Sequence, residues 1–320
     1  MMGLLLVFSV LLNLCLGSVR ISLSDLWLAV TQREHAGAAG KIFWYARLPR
    51  TAACTLSGAA LAVSGAVIQD VLSNKLASPS IIGVNAGAGF AVTLCCAAEV
   101  YSGWKIAGAA FAGAMLAVMI IAVAAQKLGA SRTTVILGGV AVNSCLNAVS
   151  EAISILIPEA GMQAADFRVG GFSAVSYTRL IPAGILIVFG LLLICSLCNE
   201  LDVIALGTET AQGLGMPVKQ MRTVFLTAAA LLAGSAVSIA GLLGFVGLLV
   251  PHTVRRLVSG ENRFVLPFCA VCGACFVNIC DLLARTLFTP YEIPVGIMLS
   301  FLGGPFFIFL LIKEKGGHSA

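Results

Sequence analysis

The chain has 320 residues, 59% hydrophobic and 10% charged, with a formal net charge of +5. A soluble domain carries about 25% charged residues, so this composition excludes a protein surrounded by water; lipid is the solvent for most of the chain. The 19 Lys and Arg form no cluster, which excludes a nucleic-acid surface and suits loops that face anionic lipid.

At about 20 residues per span, this length accommodates roughly eight to ten membrane helices. Hydrophobic runs fall near 3–17, 51–69, 81–98, 106–126, 134–157, 180–198, 223–242, 243–258, 264–288 and 293–312, with the pair around Gly241–Gly244 the least clearly divided. The reading is an all-α membrane protein of about ten helices in a single bundle, one permease-sized domain over 1–320. The 34 glycines fit, because membrane helices use small residues to bring backbones close.

In chain order, MMGLLLVFSVLLNLCLGS lacks the positive n-region of a signal peptide and reads as a short first membrane helix. LNLC resembles a lipoprotein box only loosely, since Leu14 is large for the position before the cysteine. Residues 18–46 form a polar outer loop with an amphipathic piece, SLSDLWLAV. The second run ends in a polar elbow, QDVLSNKLASPS, whose Pro79 and serines suit a turn before the next helix. The fifth run carries Asn143, Asn147 and Glu151 at four-residue spacing, near one helix face. A carboxylate inside a membrane helix is costly and usually faces a cavity or a partner, so this face is a candidate pathway lining; hydrogen bonding between helices is the alternative. Residues 158–179 read as loop. Residues 199–222 are a polar segment with room for a short helix before Gly215 and Pro217.

Two features invite chemistry. CAVCGAC has the CxxCxxC spacing of a cluster or zinc site, but it sits in an apolar helix without an adjacent His or acid. Close helix packing is the reading, and no metal site is expected. His252, beside Pro251 in GFVGLLVPHTVRR, has no nucleophile nearby and reads as a structural group at a helix end. No catalytic residue is expected. No GxxxxGK[ST] phosphate loop occurs in the chain, so it has no such cradle for ATP phosphates.

Four segments together resemble the FecCD-type permease subunits of ABC importers for iron–siderophores, haem and cobalamin. They are ARLPRTAACTLSGAALAVSGAVIQDVLSNKLASPSIIGVNAGAG (46–89), LGTETAQGLGMPV (206–218), GFVGLLVPHTVRRLVSGENRFVLP (244–267) and DLLARTLFTPYEIPVGIMLSFLGGPFFIFLLIK (281–313). The resemblance implies a cobalamin-permease-like type II importer fold in a bacterial or archaeal cytoplasmic membrane, with both termini cytoplasmic. It implies a second permease subunit, identical or paralogous, with the pathway at the dimer axis. Two ATPase subunits, holding ATP and magnesium, dock below, and an extracytoplasmic substrate-binding protein docks above. The chain itself binds no cofactor and is not an enzyme.

The resemblance also implies site residues. Arg47, Arg50 and Arg285 match arginines that face acids on the binding protein, a task suited to bidentate guanidinium pairing. Retaining them outside would account for the weak positive-inside bias of a ten-span, N-in topology. Interfacial snorkelling of Arg47 and Arg50, and an i,i+4 pair of Arg285 with Asp281, are the structural alternatives. Thr208, Glu209, Gln212, Leu214 and Gly215 match the segment that couples to the ATPase, with Gln212 where relatives often have Arg; an ordinary amphipathic loop helix is the alternative. Asn74 and Leu76 match an inner gate, with Thr133 a weaker member. Lys75 stands where the family usually has Pro, and either alters gating or extends to lipid phosphates.

Two other classes remain to be weighed. An ion-coupled secondary transporter would carry acidic residues deep in several helices, and Glu151 is the clear mid-run case. An intramembrane protease would want GxSG with a helix-borne His, or HExxH, and neither motif occurs.

Overall fold

A computed structural model describes residues 2–17, 27–29, 31, 37–127, 132–258 and 260–316. Among these the chain is helical throughout, without a strand. The helices are α1 (Met2–Cys15), α2 (Gly37–Leu72), α3 (Val84–Ala97), α4 (Gly103–Lys127), α5 (Arg132–Leu156), α6 (Pro158–Val169) and α7 (Tyr177–Ser196). There follow α8 (Cys198–Ala205), α9 (Thr208–Gly213), α10 (Val218–Ala240), α11 (Val246–Leu257), α12 (Asn262–Thr286) and α13 (Val295–Gly316). By length and composition α2, α4, α5, α7, α10 and α12 can each cross a membrane, while α1, α3 and the start of α13 are shorter apolar helices. With α11, these account for the ten hydrophobic runs. Most of the predicted amphipathic piece, SLSDLWLAV, lies outside the described residues.

Two boundaries differ from the sequence reading. The second helix begins at Gly37, inside the expected outer loop, and runs unbroken through Pro49. Pro49 lacks the N–H that would close a helical bond to the preceding turn, and the π turn Phe43–Arg47 directly before it absorbs the misfit. The expected loop 158–179 contains α6. Its apolar and polar residues are interspersed round the helix, so no apolar stripe announces it, but its ends carry helix signals. Pro158 and Glu159 stand in the first turn, and Gly170 follows the last with φ 77°.

The centre of the bundle is α2 and α10, whose spans are 83% and 78% buried. Small residues allow this. A Cβ on Gly58 would strike the Gly273 carbonyl of α12, and one on Gly65 would strike the Gly247 carbonyl of α11. The CAVCGAC run therefore lies at the α2–α12 crossing, with Cys269 in the core. The first helix belongs to the bundle, since Asn13 Nδ2 donates to Asn278 O (2.9 Å) and Asn278 Oδ1 (3.1 Å) on α12.

The tenth and eleventh helices are one span and one half-span. Twelve residues of α11 rise about 18 Å, short of the roughly 30 Å hydrocarbon thickness. The break at 241–245 leaves backbone groups that lipid cannot satisfy. The end of α6 satisfies them: Leu242 N donates to Phe167 O (2.9 Å), and Gly171 N donates to Ala240 O (2.7 Å). Gly296 N, at the start of α13, donates to Gly170 O (3.1 Å). Gly241 has φ 70°, and a Cβ there would meet the Phe167 carbonyl. Thus α6 dips into the bundle and stitches α10, α11 and α13 together.

Candidate functional site: two ends and a polar cavity

At one end, α1, α2 and α12 bring the three predicted arginines together. Asp281 of α12 is fully buried and serves as counter-ion to two of them. Arg50 Nε lies 2.9 Å from Asp281 Oδ1, and Arg50 Nη1 lies 2.9 Å from Glu292 Oε2. Arg285 Nε sits 3.0 Å from Asp281 Oδ2 as the i,i+4 pair, in ion-pair contact but off the hydrogen-bond line. Arg285 Nη2 also donates to the Asn13 side chain. Arg47 Nη1 donates to the carbonyls of Leu14 (2.8 Å) and Cys15 (2.7 Å), orphan acceptors at the end of α1. Arg47 and Arg285 are each 4% exposed, so their charge is spent mainly inside the protein. Together with Glu292 the three line a cavity of about 150 Å³.

The opposite end carries the predicted coupling segment. The six-residue α9 is bracketed by Gly207 (φ 117°) and Gly215 (φ 81°), conformations that favour glycine. It buries Ala211 and exposes Glu209, Gln212, Leu214 and Gly215, with Leu214 and the preceding Leu206 each 65% exposed. Thr208 is half-buried, and its hydroxyl accepts from Arg222 Nη2 at 3.3 Å. The hook is thus fixed at its base and bare at its tip.

A polar relay, unread in the sequence, ties this segment to the elbow. Asp202 of α8 accepts from Asn262 N (3.0 Å) and Asn262 Nδ2 (2.9 Å). The same Nδ2 donates to Asp70 Oδ2 (2.8 Å) on the last turn of α2. Asp70 Oδ1 pairs with Arg255 Nη2 of α11 at 2.8 Å. Four elements therefore meet on two carboxylates, an amide and a guanidinium.

The elbow itself is a helix stop. Ser73 takes the left-handed conformation (φ 43°), Asn74 N donates to Gln69 O (3.0 Å) and Ser73 N to Asp70 O (3.1 Å), the Schellman pattern. Asn74 Oδ1 then accepts from Leu76 N (2.9 Å), closing an Asx turn. Asn74 is thereby half-buried and held, while Lys75 and Leu76 are exposed. Thr133 is exposed on the first turn of α5.

Between the ends lies a cavity of about 470 Å³, into which the predicted stripe Asn143, Asn147 and Glu151 opens. Neither the elbow residues 74–76 nor Thr133 line it. Asn143 Nδ2 donates to Ser80 O (2.8 Å) and Ile81 O (3.3 Å), which fixes α5 against the start of α3. The sequence reading missed Asn85 and Arg168, which reach the same cavity from α3 and α6. The spacing of the stripe is visible along α5 in the sequence; the arrival of Arg168 is not, because it depends on α6, which the sequence presents as loop. The α5 span is only 17% buried, far less than α2 or α10.

A many-span helical bundle with a bare hook at one end and a polar cavity at mid-depth is a membrane permease subunit. Comparison with known proteins gives the family. The FecCD transport family matches residues 5–313, and the chain belongs to it. It is 36% identical, over 97% of its length and 92% of the relative's, to the Fe(3+)-citrate import system permease protein YfmD of Bacillus subtilis. It is 36% identical to the vitamin B12 import system permease protein BtuC of Shigella boydii, covering 98% and 94% of the two chains. It is 32% identical to the hemin transport system permease protein HmuU of Yersinia pestis, covering 100% and 97%. A solved structure, an inward-facing metal-chelate type ABC transporter, matches with a TM-score of 0.87 at 25% identity, over 98% of this chain and 97% of that one. The chain is accordingly a multi-pass permease subunit of an ABC importer in the cytoplasmic membrane, without ATPase activity of its own.

Proposed function

We propose that the chain conducts an iron chelate or a related metal complex along the polar face of α5, at the axis of a dimer with a second permease subunit. The observation that carries this reading is the combination on α5: the least buried of the long spans also bears Asn143, Asn147 and Glu151. Lipid would penalise an exposed Asn147 and Glu151, whereas a water-lined pathway shared with a second subunit would not. Relatives named for iron(III)-citrate, hemin and vitamin B12 support the cargo class.

The remaining partners follow the two ends. The bare tip of α9, with Glu209, Gln212 and Leu214, enters a groove of an ATPase subunit that holds ATP and magnesium. Thr208 and Gly215 shape the hook. This end therefore faces the cytoplasm, and Asn74 and Leu76 close the pathway there, with Thr133 nearby on α5. Lys75, exposed beside them, reaches lipid phosphates. The other end receives the substrate-binding protein. Arg50, whose side chain is 14% exposed, is the arginine that meets it, while Arg47 and Arg285 hold the rim in shape.

Glu151→Leu tests the pathway. It removes the carboxylate at an exposed position, so the fold and the assembly with the ATPase survive. ATP-dependent uptake in proteoliposomes is expected to fall about tenfold or more, the scale of a lost charge-assisted contact. Unchanged uptake would sink the assignment of this face.

A further inference from the structure

The α6 helix dips from the Arg50 end into the bundle and delivers a cation to the mid-depth cavity. Arg168 stands in its last turn. Its Nη2 donates to Thr93 Oγ1 (3.1 Å), Ser154 Oγ (3.3 Å) and Ser150 O (3.5 Å). All three acceptors are neutral. Among the described residues Arg168 makes no ion pair, and its Nε and Nη1 donate to no protein group. These nitrogens are not buried unsatisfied atoms, so they open to the cavity that Arg168 lines. Glu151 lines the same cavity but lies beyond ion-pair distance of Arg168. The other polar groups there, Ser80, Asn85, Asn143 and Asn147, are neutral.

This arrangement differs from that of the ion-paired arginines. Arg50 and Arg285 share a carboxylate, and Arg255 has Asp70. A guanidinium held in place by neutral oxygens keeps most of its charge for something else. Its Nε and Nη1 lie on different edges of the guanidinium, so each is left to give a single charge-assisted bond to a carboxylate or other oxyanion.

We propose that Arg168 is a specificity-determining residue of the pathway, selecting metal chelates that carry free carboxylate or other anionic oxygens over neutral and cationic ones. This inference rests on the pathway reading above and adds the charge class of the cargo. Glu151 sets its limit. A carboxylate drawn to Arg168 is repelled by Glu151 within the same cavity, so the cargo is held but not trapped. Conduction needs that balance, since a site that binds too well does not release.

The test uses the complete transporter, permease with its ATPase and binding protein, in proteoliposomes. Two radiolabelled probes are compared: ferric citrate, an anionic carboxylate chelate, and ferrioxamine B, a cationic hydroxamate chelate. Wild type is expected to take up ferric citrate in preference. Arg168→Gln is expected to lose about tenfold or more of ferric citrate uptake, the scale of one charge-assisted bond, with ATP hydrolysis retained. Arg168→Lys keeps the charge and is expected to retain most uptake. Equal ferric citrate uptake by wild type and Arg168→Gln would overturn the proposal. So would uptake of ferrioxamine B in preference to ferric citrate by wild type. A loss in Arg168→Gln that is equal for both probes, or not rescued by Lys, would assign Arg168 a purely structural role, fastening α6 to α3 and α5. In all these cases the pathway reading stands. Failure of wild type to move either probe with ATP would instead remove the reading on which the inference rests.

Discussion

Asp281→Ala is expected to prevent stable accumulation of the protein. Asp281 is fully buried and is the shared counter-ion of Arg50 and Arg285. Removing it leaves two guanidinium groups with too few partners, Arg285 buried and Arg50 largely so. Breaking a buried pair from one side costs about 3–5 kcal/mol, because the abandoned charge remains. Here two charges are abandoned. Arg50 keeps Glu292, and Arg285 keeps the Asn13 side chain, so the loss is partial for each. The measurement is the yield of monodisperse protein after detergent extraction, with thermal unfolding of whatever is recovered. Glu292→Ala serves as the contrast, since Glu292 is partly exposed where it pairs with Arg50; its effect should be several-fold smaller in free energy. Equal stability of wild type and Asp281→Ala would remove the network from the account.

Asn262→Leu is expected to uncouple ATP hydrolysis from transport. The Asn262 side-chain amide stands between two carboxylates and donates to both, and its backbone N–H adds a second bond to Asp202. Replacement by Leu leaves Asp70 and Asp202 facing each other without the donor that joins them. Asp70 keeps Arg255, so the end of α2 stays anchored to α11. What is lost is the link from α8, beside the α9 hook, to the helix that ends in the elbow. A motion received at the hook then reaches the elbow weakly. Uptake per ATP hydrolysed should fall about a hundredfold or more, the scale of two hydrogen bonds to charged groups, while hydrolysis by the assembled complex continues. If uptake and hydrolysis fall together, the relay is structural support and not a transmission path.

Much of the fold was legible because lipid imposes long apolar runs. All ten runs became helices, and the weak division at Gly241–Gly244 marked a real break between a span and a half-span. The α6 helix was hidden for a physical reason. It meets the core through the small Ala160 and Ala164 and the backbone of a broken helix, with polar residues interspersed, so it has no apolar stripe to read. Pro158, Glu159 and Gly170 were its only signals. Similarly, α2 continues through Pro49 because a π turn accommodates the proline, which composition does not report.

The sites divide along the same line. Local spacing was readable: the i,i+4 pair of Asp281 and Arg285, the stripe Asn143, Asn147, Glu151, and the hook before Gly215. Contacts distant in sequence were not. Arg50 meets Asp281 across 231 positions, and Asn262 meets Asp70 across 192. Arg168 enters the cavity only because α6 turns inward. Arg47, read from the resemblance as a docking group, caps the carbonyls of α1, a role that depends on how the first helix packs.

The most direct test of the central claim is uptake of radiolabelled ferric chelate by proteoliposomes holding the permease, its ATPase and its binding protein, with ATP and the ion gradient varied separately. The account predicts uptake that requires ATP inside the ATPase compartment and persists when a protonophore or ionophore dissipates the gradient. Uptake that continues without ATP and collapses with the gradient would contradict it.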